Sequence, residues 1–224
     1  MIRLSCVMLA LTCVCVVASA QADAIPVENI EVSSTYGGGN GHSSKWNLIN
    51  DNLPADASSV AEGIVWDTPG ITDTDADRSP WVAFYFGNAY TLNEMMIWNY
   101  QRGYSSGRGV CDTIVLVSTD TGDDWLNYTF TALPGVYRFD QAPDAPVMQT
   151  IDLGGVPATA VKFQILSNWA GIVFGPEVPS EGQYSNSTIA GLSKVAFDGT
   201  PVPEPATMTL LALGGLALLR RGRR

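Results

Sequence analysis

The sequence predicts an all-β domain built as a sandwich of antiparallel strands, and three observations support this fold class. Between residues 30 and 199, short runs rich in β-branched and aromatic residues alternate between polar and apolar side chains. The 22 Gly and 13 Pro residues supply many turns between these runs. No helical periodicity longer than about two turns separates them, so we expect two packed antiparallel sheets.

Five segments show the clearest strand pattern. In the first, Val82, Phe84 and Phe86 share one face, and Gly87 followed by a polar residue is expected to end the strand. We also expect Trp81, at the start of this run, to lie in the core, together with a second strand tryptophan, Trp98. The predicted strands cover residues 81–86, 92–99, 113–119, 160–167 and 192–197.

Composition limits the kind of partner that this body can have. A chain of 224 residues with 46% hydrophobic and 15% charged residues has room for one folded domain and is not typical of disorder. Residues 25–200 contain 7 Lys or Arg and 20 Asp or Glu, a net charge of −13. An acidic body without a basic patch excludes nucleic acid as an expected partner.

The first 24 residues have the features of a secretory signal peptide. Arg3 precedes an apolar run at 7–17, and small residues then offer cleavage sites after Ala20, Ala22 or Ala24. Of the four cysteines, only Cys111 lies outside this segment. We therefore expect an exported chain with a helical signal at 1–24, no intramolecular disulfide and a packed thiol at Cys111.

The last 24 residues combine three features in a fixed order. Val202, Pro203, Glu204 and Pro205 form a motif at 202–205, an uncharged segment follows at 206–219, and an Arg-rich tail occupies 220–224. A helix of about 14 residues spans about 21 Å, so segment 206–219 is a marginal membrane span against about 30 Å of hydrocarbon. The Arg cluster is expected on the cytoplasmic side, which places the acidic body outside.

Residues 201–224 resemble the PEP-CTERM sorting signal of bacterial surface and exopolysaccharide-associated proteins, which consists of these three parts. The resemblance implies that a membrane-bound sorting enzyme of this system is a partner and cuts near Pro203, Glu204 and Pro205. The hydrophobic helix at 206–219 would then be a temporary membrane anchor. After processing, the body would reach the cell surface or the extracellular matrix.

The body contains six short strings whose order is informative. They are WNLIND at 46–51, SPWVAFYFG at 79–87, MIWNY at 96–100, RGV at 108–110, VSTDTGDDW at 117–125 and GLSKVAFDG at 191–199. In this order they resemble a discoidin-type domain, also called coagulation-factor type C, of the galactose-binding-like superfamily. The resemblance covers residues 25–200 and implies a jelly-roll sandwich of about eight antiparallel strands. In this family, loops at one end of the sandwich often hold a sugar, lipid or protein ligand.

Aromatic residues in the predicted loops are candidates for stacking on the apolar face of a sugar. We select Trp169, Tyr104 and Tyr184 as stacking groups and Arg102 as a donor to sugar hydroxyls, and Trp66 also lies in or beside a loop. The alternative for each ring is a structural role at the end of the sandwich. The acidic body favours a neutral sugar over an anionic polymer. We expect Trp169→Ala to abolish binding and to leave the melting temperature nearly unchanged.

One string resembles a catalytic motif. Residues 103–107 match Gly-x-Ser-x-Gly around Ser105, but this nucleophile elbow needs a strand before it, a helix after it and a later His. The only His, His42, comes earlier in the chain, and no helical pattern follows Ser105. We therefore expect no catalytic residues and no cofactor.

Calcium is the remaining candidate ligand, because Asp73, Asp75 and Asp77 could offer hard oxygen ligands. The rest of an EF-hand loop is absent from the sequence, which favours a solvated acidic loop. The discoidin resemblance implies a different calcium site, made by an Asp and a Glu, where this chain has Asn50 and Lys194. We expect no metal site and no stabilisation by micromolar calcium.

Two functions remain open at this point. The first is an exported, surface-sorted and non-catalytic binding module that recognises a glycan or exopolysaccharide. The second is a structural component of the extracellular matrix that makes protein contacts and binds no small ligand.

Overall fold

The computed structural model describes residues 24–35, 44–49, 65–68, 77–100, 106–142, 147–175 and 188–203. Within these ranges the chain forms eight strands and three short 3-10 turns, and every strand pairing is antiparallel. The predicted all-β class is confirmed. The predicted helices of the signal peptide and of segment 206–219 lie outside the described ranges, apart from Ala24. No helix in these ranges has the length and apolar character required to cross a membrane.

The eight strands form one hydrogen-bonded sheet with the order β2-β8-β3-β7-β4-β5, while β1 pairs with β3 and β6 pairs with β4. The two separate sheets expected from the sequence are therefore joined. The strands are β1 (Asn29–Val32), β2 (Trp66–Asp67), β3 (Trp81–Asn99), β4 (Asp112–Ser118), β5 (Thr131–Ala132), β6 (Tyr137–Arg138), β7 (Met148–Ile165) and β8 (Gly191–Pro201).

Two long strands, β3 and β7, make the sheet continuous. The first part of β3 pairs with β1 and with the end of β7, and its second part pairs with β8 and with the beginning of β7. The register shifts between Tyr85 and Tyr90, where Gly87 has a φ of 72° that a side chain would strain. The expectation that the strand ends at Gly87 is wrong, because the chain continues through a bulge.

The sheet folds over a core of phenylalanines. Phe84, in the first part of β3, contacts Phe197 of β8 with ring centroids 5.2 Å apart, and Phe163 of β7 at 5.5 Å. Phe139 joins Phe163 at 5.6 Å, and all four side chains are fully buried. Because burial of such a side chain contributes about 2–3 kcal/mol, this cluster holds the two parts of the sheet face to face.

The two tryptophans expected in the core, Trp81 and Trp98, have different environments. Trp81 points away from the phenylalanine core and is only partly buried, so its predicted core position is wrong. Trp98 is buried, with 9% of its surface exposed. Trp66 is fully buried, and its indole N–H donates to the carbonyl oxygen of Ser34 at 3.0 Å, which makes it a core residue rather than a loop residue.

Because β3 and β7 fold over, both ends of each strand lie at the same end of the molecule, here called the loop end. The amide of Ile165 donates to the carbonyl of Pro80 at 3.0 Å, and the Asn99 side chain donates to the carbonyl of Val110 at 2.7 Å. The opposite end, here called the bend end, contains the bulge of β3. Val202 leaves the fold there, with its amide 2.9 Å from the carbonyl of Ala89.

A small aromatic cluster covers part of the outer surface of the sheet. Tyr85 lies next to Trp125 and Tyr128, with ring centroids at 5.8 and 5.4 Å, and its hydroxyl donates to the carbonyl of Trp125 at 3.2 Å. Burial, with smaller contributions from the charges of Glu31 and Tyr128, raises the pKa of Tyr85 to about 12. The folded state therefore keeps this phenol neutral at a pH where the unfolded chain loses the proton.

This pKa predicts a pH dependence of stability. The neutral phenol contributes stability that is complete below pH 10 and is lost as the pH rises towards about 12, because the unfolded state then binds fewer protons. Tyr85→Phe should lower the free energy of unfolding at pH 7 by about 1 kcal/mol, because the hydrogen bond is lost. Above pH 10 the free energy of unfolding of the variant should fall less steeply with pH than that of the wild type. Urea unfolding from pH 8 to pH 12 measures both. Parallel curves for the two proteins would contradict the assignment.

Candidate functional site

Four segments meet at the loop end, namely 106–112, 138–141, 166–175 and 188–191. Val110 forms a β-bridge with Asn168, and Gly109 forms one with Gly191. The amide of Trp169 donates to the carbonyl of Gly109 at 3.0 Å. Main-chain hydrogen bonds therefore fix these loops relative to one another.

Asn168 shapes the turn that carries Trp169. Its side-chain oxygen accepts from the amides of Ala170 at 3.1 Å and Ile172 at 3.0 Å, and its side-chain nitrogen donates to the carbonyl of Ile189 at 2.9 Å. The side chain is buried, so these bonds replace those that it would make with water. The turn is consequently held to the segment before β8.

The Asn99 side chain likewise fixes main-chain groups, here in the segments 106–112 and 138–141. Its side-chain nitrogen donates to the carbonyls of Val110 at 2.7 Å and Asp140 at 2.8 Å. A Cβ atom on Gly109 would lie 2.8 Å from the side-chain oxygen of Asn99, so any larger residue there would displace this hydrogen-bonded side chain. The backbone around the candidate site is thus held by two buried asparagines.

Trp169, Arg138 and Asp112 lie side by side at this end. The indole N–H of Trp169 donates to the carbonyl of Phe139 at 3.0 Å, and the guanidinium carbon of Arg138 lies 5.0 Å from the centroid of the Trp169 ring. One Arg138 nitrogen lies 3.8 Å from the Asp112 carboxylate, which also accepts from the hydroxyl of Ser167 at 3.0 Å. A fixed aromatic ring beside a donor and an acceptor has the chemistry that binds sugar hydroxyls and the apolar face of a sugar ring.

The structure describes one of the four residues proposed as ligand contacts. Trp169 lies at the loop end and is partly buried. Arg102, Tyr104 and Tyr184 lie outside the described residues. Arg108 donates to the hydroxyl of the buried Tyr100 at 3.4 Å.

Two polar residues of this site were not found from the sequence. Arg138 and Asp112 meet because β6 pairs with β4, where these two residues are directly opposite. A two-residue strand such as Tyr137–Arg138 gives too short a pattern to be recognised. The neighbouring Phe139, which is fully buried, was the only available hint that this segment enters the fold.

Asp77 is the one member of the acidic run 73–77 that the structure describes. One carboxylate oxygen accepts from the hydroxyls of Ser33 and Ser34, the latter at 2.6 Å, and the other accepts from the amide of Ser79 at 3.1 Å. Both oxygens are therefore used within the protein. In the described part of the chain no three His, Cys, Asp or Glu side chains are grouped as a metal would require.

On the last strand, Lys194 occupies the position where the discoidin resemblance implies a calcium ligand. Lys194 places its ammonium 5.3 Å from the centroid of the Trp98 ring. Asn50, Asp51, Asp73 and Asp75 lie outside the described residues.

Two clefts open on other parts of the described surface. One of about 500 Å³ lies beside β8 and is lined by Ile25, Val27, Met96, Trp98 and Lys194, among others. The other, of about 360 Å³, lies between the segment before β3 and the end of β7, where Gln164 and Phe174 line it.

Comparison with solved structures defines the class of fold. The chain is similar to the F5/8 type C domain of a Bacteroides fragilis protein, with a TM-score of 0.54 and 14% identity over 81% of this chain and 98% of that chain. It is also similar to a fucolectin from the serum of striped bass, Morone saxatilis, with a TM-score of 0.50, 16% identity and coverage of 79% and 48%. A family 32 carbohydrate-binding module from Clostridium perfringens in complex with galactose matches with a TM-score of 0.49 and 12% identity over 78% and 97%. The match to the F5/8 type C domain confirms the discoidin-type fold.

The sorting signal is also confirmed, because residues 201–224 match the PEP-CTERM protein-sorting motif. This motif indicates export. No curated protein matches the sequence. Val202 and Pro203 are exposed at the bend end, while Glu204 and Pro205 lie outside the described residues.

The Asp77 contacts predict a structural role for this carboxylate. Asp77→Ala removes acceptors for two hydroxyls and one amide, so we expect the free energy of unfolding to fall by about 1–3 kcal/mol. Asp123→Ala is a matched control, because Asp123 is exposed and accepts no hydrogen bond from a described residue. Urea unfolding of both variants with and without micromolar calcium measures the effect. If calcium stabilised the wild type and not Asp77→Ala, Asp77 would be a metal ligand instead.

Proposed function

We propose that this chain is an exported, surface-sorted and non-catalytic module that binds a glycan through its loop end. The observation that carries the proposal is the row of Trp169, Arg138 and Asp112, in which an aromatic ring of fixed orientation is flanked by a charged donor and a charged acceptor. Its solved neighbours by fold include a fucolectin. Arg102, Tyr104 and Tyr184 belong to the same proposal as further ligand contacts.

Charge selects the kind of glycan for this site. The body carries a net charge of −13 across residues 25–200, and the guanidinium of Arg138 is paired with Asp112. The pair offers a donor and an acceptor without a net local charge. We therefore propose a neutral sugar at the loop end, held by one ring stack and hydroxyl hydrogen bonds, with weak affinity. An exopolysaccharide of the producing cell is the proposed source.

The alternative is a structural matrix component that makes protein contacts. Exposed apolar side chains favour it, because Val173 is 71% exposed near Trp169 in the sequence, and Val136 and Val147 are about as exposed. Apolar side chains around a site suit a protein partner as well as a sugar. Direct measurement of glycan binding separates the two functions.

A substitution at Trp169 tests the loop-end site. Loss of one stacked ring should weaken glycan binding by about 1–2 kcal/mol, or five- to thirty-fold. The indole hydrogen bond to Phe139 adds a stability cost of about 1 kcal/mol, which corresponds to a few degrees in melting temperature. Glycan-array screening of the wild type followed by calorimetry of Trp169→Ala measures binding, and thermal unfolding measures stability.

Trp46→Ala is the matched control, because Trp46 is 47% exposed and its ring lies beside Lys45, 5.5 Å from the ammonium. We expect it to bind like the wild type. If no glycan binds the wild type, or if Trp169→Ala binds equally well, the loop-end proposal fails and the matrix function is preferred. Complete unfolding of Trp169→Ala would show that Trp169 is a core residue.

The sorting motif gives a separate prediction. Replacement of Pro203, Glu204 and Pro205 by alanine should leave export intact and prevent cleavage by the sorting enzyme, so the chain accumulates in the membrane fraction. Cell fractionation and intact mass in a host that has this sorting system measure the outcome. The wild type should lose its first 20 to 24 residues and its C-terminal segment. A full-length cytoplasmic wild-type chain would contradict the proposal.

A further inference from the structure

The outward surface of the first part of β3 carries a group of side chains that the loop-end site does not use. We call it the outer aromatic face. Ala83 of β3 and Ala160 of β7 form its buried floor, and the directly opposed pair Ala83 and Lys162 lies near its middle. Trp81 and Tyr85 stand on either side of Ala83, about 13 Å apart along the strand. Its members are Trp81, Tyr85, Trp125, Tyr128, Phe130 and Lys162.

Lys162 is the unusual member of this face. Its ammonium lies 4.1 Å from the centroid of the Trp81 ring and 5.7 Å from that of Phe130. It forms no hydrogen bond or ion pair with any described residue, whereas Lys45 lies 3.4 Å from Glu31. Desolvation lowers the pKa of Lys162, as expected for a charge held between rings without an anion. Three ammonium N–H donors are thus available to a ligand.

A second donor lies beside this ammonium. The indole N–H groups of Trp66 and Trp169 each donate to a backbone carbonyl at 3.0 Å. The indole N–H of Trp81 has no such acceptor among the described residues. By contrast, the Tyr85 and Tyr128 hydroxyls donate to backbone carbonyls at 3.2 and 2.9 Å. The indole N–H of Trp125 also has no acceptor among the described residues. The free donors of this face are therefore the Lys162 ammonium and the indole N–H groups of Trp81 and Trp125, and of the two indoles it is Trp81 whose ring lies next to the ammonium.

We propose that the outer aromatic face is a second binding site, which takes a carboxylate-bearing sugar within an otherwise neutral glycan. The carboxylate accepts hydrogen bonds from the ammonium of Lys162 and the indole N–H of Trp81. A hydrogen bond with a charged partner is stronger than one between neutral groups. The sugar ring packs against the partly exposed Phe130. None of the six side chains of this face lines either cleft described above, and its partly exposed rings suit the apolar face of a sugar.

The acidic residues around this face limit the ligand to an isolated negative charge. Glu31 accepts from Lys45 at 3.4 Å and from Asn29 at 3.1 Å, so its charge is locally balanced. Asp120 accepts from the amide of Thr129, on the far side of the aromatic cluster near Tyr128. At physiological salt, charges beyond about 8 Å are screened, so the contact with Lys162 dominates for a single carboxylate. A polyanion would also be repelled by the other acidic residues of the body.

The experiment uses the full-length protein in detergent and two disaccharide probes that carry one carboxylate each, glucuronosyl-β-1,6-galactose and galacturonosyl-α-1,2-rhamnose. Each is compared with its methyl ester. We expect at least one acid probe to bind with millimolar affinity and its ester to bind at least tenfold more weakly. Lys162→Met should lose at least tenfold in affinity at an unchanged melting temperature, because methionine keeps the apolar stem. Lys162→Arg should retain binding, since it restores the charge.

Lys194→Met is the matched control, because Lys194 also lies over a tryptophan ring, that of Trp98 at 5.3 Å, on another part of the sheet. We expect it to bind the acid probe like the wild type. The proposal is overturned if the wild type binds neither acid, if the esters bind equally well, or if folded Lys162→Met binds like the wild type. A dimer that Lys162→Met dissociates in sedimentation experiments would also overturn it, because this face would then be a contact between copies of the chain.

Discussion

The contact between Phe84 and Phe197 is the constraint on which the rest of the fold depends. These rings belong to the two parts of one continuous sheet, and their centroids lie 5.2 Å apart only because β3 folds over at its bulge. The fold brings both ends of β3 and of β7 to the loop end. The segments around Trp169, Arg138 and Asp112 are therefore assembled by core packing, and the buried asparagines below them determine their local conformation.

The same constraint separates the proposed site from the sorting signal. Val202 leaves the fold at the bend end, beside Ala89, whereas Trp169 lies at the loop end. An anchor that follows Val202 would leave the loop end directed away from the membrane. Processing of residues 201–224 and ligand binding could then occur without steric interference. The proposed binding site and the point where the chain leaves the fold at Val202 therefore lie at opposite ends of the domain.

Local alternation predicted the strands better than it predicted their ends. Val82, Phe84 and Phe86 were correctly assigned to one buried face, and this assignment already implied that Trp81 points outward. Gly87 was interpreted as a strand end, because a single sequence does not show that partner strands continue past a bulge. The early part of β7 was missed for the same reason, since Gly154 and Gly155 resemble a turn. Trp169 could be predicted as a loop aromatic, but its contact with Arg138 depends on tertiary pairing.

Two lysines show how the same local contact can serve different purposes. Lys194 lies over Trp98, which is buried, and it has a further interaction partner besides that ring. Lys162 lies closer to its ring, at 4.1 Å, and Trp81 is only partly buried. The Lys194 ammonium thus has two kinds of contact within the protein, one of them with a buried ring. A cation over a partly exposed ring, with no anion beside it, retains unused hydrogen-bond donors at the surface. Exposure of the ring and the absence of an ion pair among the described residues therefore distinguish a candidate binding group from a structural one.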